Sequence, residues 1–370
     1  MVDDLPVRPL LQVLSEDSPS LIPKLEYTFS DGTIFSFTGQ LNSGLLYYDD
    51  GVHSYANAPV NNDNSSSRAR LELKKTVNDW LIHGTFEVEY QPLATNVVNQ
   101  FDNTPNWDFE WTNVRKLEVV VGNEKYGKLW LGQGSMASDN IAEVDLSGTS
   151  IIAYSSISDV AGGYYFTLPD GMISDTQISS AFKNYDGFSR KVRIRYDTPT
   201  YMGFGLRTSY GQDVLGDVDD PLYDIAATYR GEHNDFVIAG DIGLAYNATT
   251  ETTMFSGSAS VLHDPSGVSL TFAAGQQNAE DLTSSYGFVK LGYQHDFFEF
   301  GRTYFSADYY HGSDIAGDGS KSTSYALAAV QDIDRINTQL WFVWRNYDFE
   351  DDSSEFRDGN AILTGALFKW

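Results

Sequence analysis

The sequence predicts an all-β protein: a transmembrane antiparallel β-barrel of about sixteen strands, with one long loop, residues 135–187, folded inward as a constriction. Three observations carry this. From Thr33 onward, apolar and polar residues alternate with period two in segments of about ten residues, as a wall with two unlike faces requires. The connections alternate between short turns and longer acidic loops, which is how a spanning barrel distributes them. One connection, Ser135 to Gly187, is far longer than loops in compact domains usually are, and such loops are commonly functional.

Taken in order, residues 1–32 form an N-terminal arm. Pro6, Pro9, Pro19 and Pro23 interrupt it around a short apolar run, Leu10 to Leu14, that allows about one helical turn. Ser30-Asp31-Gly32 can close a hairpin between Leu25–Phe29 and the next segment. The barrel occupies 33–370. Its first strand places Phe35, Phe37, Gly39, Leu41, Ser43, Leu45 and Tyr47 on one face, with Ser36, Thr38, Gln40 and Asn42 on the other. A polar segment, 49–64, reads as a loop. Strands then follow at 65–77, 80–91, a segment ending at Val121, and 127–134. After the long loop, eleven more candidates run to Trp370. Asn78-Asp79 and Asp264-Pro265-Ser266 are short turns, while 92–107, 312–320 and 349–358 are the longer connections. Aromatic residues near strand ends, among them Trp80, Tyr309 and Trp344, suit two interfacial belts.

Composition narrows the class further. Hydrophobic residues make up 41%, and no stretch approaches the roughly 18 apolar residues of a spanning helix. Alternating strands account for that balance, because half of their positions face water. The 52 aromatic residues (22 Phe, 23 Tyr and 7 Trp) are 14% of the chain. With no cysteine there is neither disulfide nor thiolate chemistry. Lys and Arg total 24 against 51 Asp and Glu, giving a net charge of −27, which excludes nucleic acid as a partner. The opening Met1-Val2-Asp3-Asp4-Leu5-Pro6 lacks the basic and apolar regions of a signal peptide.

Four segments carry a family resemblance. The last strand, Gly359 to Trp370, ends on an aromatic residue, like the assembly signal of outer-membrane barrels. Tyr126-Gly-Lys-Leu-Trp-Leu-Gly-Gln-Gly134 resembles the strand that leads into the constriction loop of the general bacterial porins of the Gram-negative outer membrane. Val192-Arg-Ile-Arg-Tyr-Asp-Thr-Pro199 with Gly203-Phe-Gly205 resembles the hairpin after that loop, and Thr38 to Leu45 resembles the first strand. Over residues 33–370 the resemblance implies a homotrimeric sixteen-stranded channel in the outer membrane. Its neighbours would be membrane lipid and lipopolysaccharide, and small hydrophilic solutes and ions would diffuse through it. The arm at 1–32 departs from the pattern, since such chains begin near the first strand.

The candidate site is the pore constriction. The loop supplies Asp139, Glu143, Asp145 and Asp159; the wall supplies Arg68, Arg70 and Lys74 on one strand and Lys191, Arg193 and Arg195 on another. Charges at alternate strand positions share a face, and a lipid-facing charge costs about 2–4 kcal/mol at the midplane, so these face the lumen. Opposed charges across a narrow gap select by size and charge. No catalytic constellation competes: six scattered histidines and no Gly-x-Ser-x-Gly elbow leave no enzyme to assign. No cofactor is expected. Asp217, Asp219 and Asp220 offer carboxylates to a structural Ca²⁺, without the EF-hand spacing. A substrate-specific porin with a weak site in the constriction is the nearest alternative. A soluble secreted glycan-binding β-protein would share the aromatic and acidic loops but not the segregation of loop lengths.

Overall fold

The structure is a computed structural model that describes residues 21–216, 218–279, 282–352 and 354–370. The Leu10–Leu14 turn and Asp217 lie outside the described residues. Antiparallel pairing runs β2 (Ile34–Asp49), β3 (Ser54–Asn61), β4 (Arg68–Val77), β5 (Trp80–Glu89), β6 (Val114–Asn123) and β7 (Gly127–Ser135). After β8 (Tyr165–Thr167) and β9 (Ile173–Gln177), which pair only with each other, it continues through β10 (Arg190–Asp197), β11 (Phe204–Asp213), β12 (Val218–His233), β13 (Phe236–Asn247), β14 (Thr252–His263) and β15 (Val268–Ala279). The circuit ends with β16 (Leu282–Phe298), β17 (Gly301–Ser313), β18 (Lys321–Ile333), β19 (Thr338–Glu350) and β20 (Gly359–Lys369). β20 pairs back onto β2, so the sheet is closed. Closure leaves no unpaired edge, which hydrocarbon would not tolerate.

Two of the wall positions are shared. β1 (Leu25–Thr28) pairs with the start of β2 and continues the line of β20 beyond Trp370. β3 and β4 both pair with β2, on its later and earlier halves, with a 3-10 turn at Asp63–Ser65 between them. The eighteen paired strands therefore make sixteen staves, as expected. The Ser30–Gly32 hairpin forms, with the Phe29 N–H donating to the Thr33 carbonyl at 2.8 Å. The segment read as a loop at 49–64 is instead a tight turn followed by β3. Its Asn-rich sequence with Pro59 hides the alternation, and the register shift opposite Gly44 and Leu46 accommodates a residue that lacks a ladder N–H.

Alternation has the predicted sense. Leu41, Leu71, Leu73, Leu117 and Val119 are exposed on the outside, while Gln40, Asn42, Glu87 and Glu118 are buried inside. Outward aromatics form two belts: Trp80, Tyr126, Tyr201, Phe204 and Phe297 at the turn end, and Tyr90, Tyr210, Tyr223, Tyr309 and Tyr325 at the loop end.

The closing seam depends on two glycines. Gly44 and Gly365 lie opposite each other, and the Trp341 indole lies across both, donating to the Asn42 side chain at 2.9 Å. A Cβ on Gly44 would stand 2.1 Å from the Thr364 carbonyl oxygen, and one on Gly365 2.3 Å from that of Ser43. Gly44→Val or Gly365→Val should therefore block closure, at more than the roughly 1–3 kcal/mol of ordinary overpacking. Gly84→Ala, with nothing within 4 Å of its added carbon, should not. Heat-modifiable migration in SDS gels after refolding reads the difference; equal folded fractions for all three would refute it.

Candidate functional site: the inner loop and its facing wall

The segment from Met136 to Phe188 lies inside the barrel, and its own sequence explains little of its course. Inward side chains of the wall hold its backbone instead. The Ala137 N–H donates to Ser209 Oγ at 2.8 Å. Val144 and Leu146 donate to Ser258 and Ser260 at 2.9 and 3.0 Å. Farther round, Thr149 meets Ser306 at 2.8 Å and the Tyr347 hydroxyl donates to the Ile157 carbonyl at 2.9 Å. Tyr164 then stacks on Tyr48 and accepts from Asn57. On the return, Ser322 donates to the Ala181 carbonyl and Tyr310 to that of Lys183. Most of these contacts satisfy a backbone group that would otherwise be buried without a partner, while those at Thr149 and Tyr164 join side chains.

Between loop and wall, on the side of β16–β20 and β2, lies a dry core. Ile152, Ile157, Tyr164, Phe166 and Phe182 pack there on Tyr310, Tyr347 and Phe349. The tip of the loop also meets the connection after β5, where Thr95 donates to the Asp159 carbonyl and Gln100 bonds Tyr165 in both directions. The loop thus lies along most of the inner wall. The stretch it does not line is the face of β4–β7.

The predicted site residues distribute as follows. Arg68, Arg70 and Lys74 share one inward face with Glu72; Arg70 pairs with Glu87 at 2.5 Å and Lys74 with Glu72 at 3.2 Å. Arg115, absent from the sequence-based set, bridges Glu87 and Glu89 at 2.8 and 2.5 Å. Lys191 pairs with Asp213. Arg193 pairs with Glu118 and also donates to the Ser135 and Gly132 carbonyls at 3.0 Å. Arg195 pairs with Asp197 at 2.7 Å and donates to Met136 O at 3.1 Å. The last two brace the neck where the loop leaves β7.

Among the loop acids, Asp145 meets none of the predicted bases. It pairs at 2.6 Å with Lys290 of β16, whose Nζ also donates to the Ala153 carbonyl at 2.6 Å. Asp139, Glu143 and Asp159, with Asp186 from the returning strand of the loop, have no base within 4 Å among the described residues. Asp186 accepts from the backbone of Asn140 and Ala142 and so ties the two ends of the loop. Burial opposes ionisation of Asp139, yet the charge of Arg190 and a Ser135 hydrogen bond hold its pKa below the ordinary value. Burial, with Asp139 nearby, pushes Glu143 up to about 7. Burial and the Asp63 charge raise Asp159 well above the ordinary range, and burial with Glu143 does the same for Asp186. Asp219 and Asp220 accept from Gln212 and Asn247, and no cluster of metal-ligating groups occurs among the described residues.

A closed sixteen-stave barrel with outer aromatic belts, a charged interior and an inward loop is an outer-membrane channel. Residues 32–352 match the family model described as Gram-negative porin, and the chain belongs to that family. Solved structures agree in fold. The anion-selective porin from Comamonas acidovorans is 13% identical, with TM-score 0.62, over 91% of this chain and 100% of that one. OmpT of Vibrio cholerae is 14% identical at TM-score 0.58, over 92% and 99%, and Salmonella typhi OmpF 13% at 0.57, over 93% and 100%. No curated protein sequence matches the chain.

The side chains of Lys290 and Asp145 are both buried, so removing one partner leaves an uncompensated charge, a loss of about 3–5 kcal/mol for buried pairs. Lys290→Met should free the 145–153 turn to swing toward the open side, giving brief partial closures in single-channel records. Adding Asp145→Leu should restore quiet current, since an apolar pair replaces the ionic one. A quiet Lys290→Met channel would show that the turn is held by its other contacts alone.

Proposed function

We propose that the protein is a trimeric outer-membrane channel for passive diffusion of small hydrophilic solutes and ions. Its narrowest section lies between the inner loop and the β4–β7 face. The observation that supports this most is the course of the loop, which fills one side of the lumen and leaves bare the β4–β7 face, where Arg68, Arg70, Arg115 and Lys116 stand among Glu72, Glu87, Glu89 and Glu118. A narrow passage lined by charge filters solutes by size and charge without a catalytic step. In this role Arg193 and Arg195 shape the neck, and Asp145 anchors the loop.

Trimerisation is supported by the exposed apolar outer faces of the staves and by the solved trimer form of the Vibrio cholerae OmpT. Of the small outward residues, Gly39 makes room for the chain's own Trp370, whereas Gly84 is open to a neighbour. Crosslinking in mild detergent should trap three copies; a single-copy band throughout would contradict it.

Planar-bilayer recording tests the constriction. Replacing residues 147–182 with a short Gly-Ser linker should raise unit conductance about twofold or more, because the eyelet is removed. An unchanged conductance would mean the loop does not bound the path. Selectivity should also titrate. The raised carboxyls Glu143, Asp159 and Asp186 lose their charge as pH falls through their pKa values, while the arginines stay charged. Acidification from about pH 8 to about pH 5, through the value of about 7 to which Glu143 is raised, should therefore shift the reversal potential toward anion preference. A flat profile would place these acids away from the ion path.

A further inference from the structure

Where the inner loop returns toward β10 it crosses the loop ends of β14, β15 and β16 and bounds a recess of about 630 Å³. The wall side is one row of inward positions, since Met254 lies opposite Gln277, and Gln277 opposite Ser284. Ala279 and Leu282 pair one inward step farther toward the loop end, and Ile315 adds to the lining from the connection after β17. Such a volume is ordinary for a small-molecule site.

Four consecutive loop residues, Lys183 to Asp186, form the other side. Three of them are committed elsewhere. The Asn184 amide donates to Glu143 and Ser155 at 3.3 Å, and the Tyr185 hydroxyl donates to Ser284 Oγ at 2.5 Å. The Asp186 carboxylate accepts from the Asn140 and Ala142 N–H groups. Lys183 is held by its main chain alone: its N–H donates to the Tyr310 hydroxyl at 3.1 Å, and that hydroxyl donates to its carbonyl at 2.7 Å. Among the described residues its exposed ammonium has no partner, and the Gln277 amide on the wall side has none either. Lys183 is also the one basic residue between Met136 and Phe188, a segment with seven acids.

A lysine ammonium and an amide N–H are both donors and together suit a carboxylate. Met254, Leu282 and Ile315 offer thioether and aliphatic surface to an apolar group. Tyr185 and Tyr286 are buried, so neither presents a ring face on which a sugar would stack. We propose that this recess binds small carboxylates that carry an apolar body, with the carboxylate on Lys183 and Gln277 and the body against Met254, Leu282 and Ile315. It lies on β14–β16, away from the bare β4–β7 face, so a solute held there waits at the loop-end mouth without filling the narrow section.

The probe is para-fluorobenzoate, read by its fluorine NMR line width with the full chain in detergent against matched empty micelles. Wild type should broaden the line saturably, and unlabelled benzoate should reverse the effect. Acetate, which lacks the body, and benzamide, which lacks the charge, should each compete about tenfold more weakly, the scale of one apolar contact or one charged hydrogen bond. Lys183→Met should weaken binding by a similar factor, and Lys183→Arg should retain it. Ala279→Phe, which fills the recess and leaves the charge, should abolish binding. Heat-modifiable migration shows that each variant folds, and the two Lys183 variants decide alone where Ala279→Phe does not. Broadening that survives Lys183→Met undiminished would place the probe elsewhere and overturn the site. Acetate competing as well as benzoate would reduce it to a bare cation, and displacement by glucose would assign it to sugars; either result refutes the proposal. Line width reads the recess and conductance reads the constriction, so each can fail without the other.

Discussion

Every feature of this molecule answers to one constraint: a backbone inside a membrane must find all its hydrogen-bond partners within the protein. The sheet meets it by closing β20 onto β2, with Gly44 and Gly365 letting the two backbones and the Trp341 ring share the seam. Divided staves meet it as well. β1 takes up the edge of β2 that β20 is too short to cover, and β4 does so where β3 stops. A closed wall then has an inside, and the inside can be filled.

The same constraint recurs at the inner loop, which carries some fifty peptide groups with little regular structure. Its only repeating pairing is a small hairpin between Tyr165–Thr167 and Ile173–Gln177. The remainder is satisfied by turns within the loop, such as Ile152 N–H to Thr149 O, and by hydroxyls and carboxylates from the wall, Ser209, Asp224, Ser258 and Ser260 among them. The aromatic core beneath the loop fills one side of the lumen and leaves the β4–β7 face uncovered.

The wall was legible in the sequence because period-two alternation is a local signal, and nearly every stave position followed from it. β3 was not, since Ser54–Asn61 has polar residues on both faces and pairs through a register shift. The site was legible in part. Arg68 and Arg70 announce themselves by alternation, but ion pairing is a long-range property that spacing does not encode. Asp145 meets Lys290 145 positions away, and nothing near either residue marks the other. Ser256, Ser258 and Ser260 did carry a signal, a row of small hydroxyls along one inward face, whose meaning needed the loop in place.

The way the loop is held has an evolutionary consequence. Wall serines grip main-chain N–H and C=O groups at Ala137, Ile141, Val144 and Leu146, and almost any residue would present those groups equally well. Side chains that point from the loop toward the aqueous path are therefore released from the task of keeping it in place. Their charge can drift from generation to generation while the scaffold stands. A lineage carrying this architecture can try new permeability spectra one substitution at a time, without first surviving a misfolded intermediate.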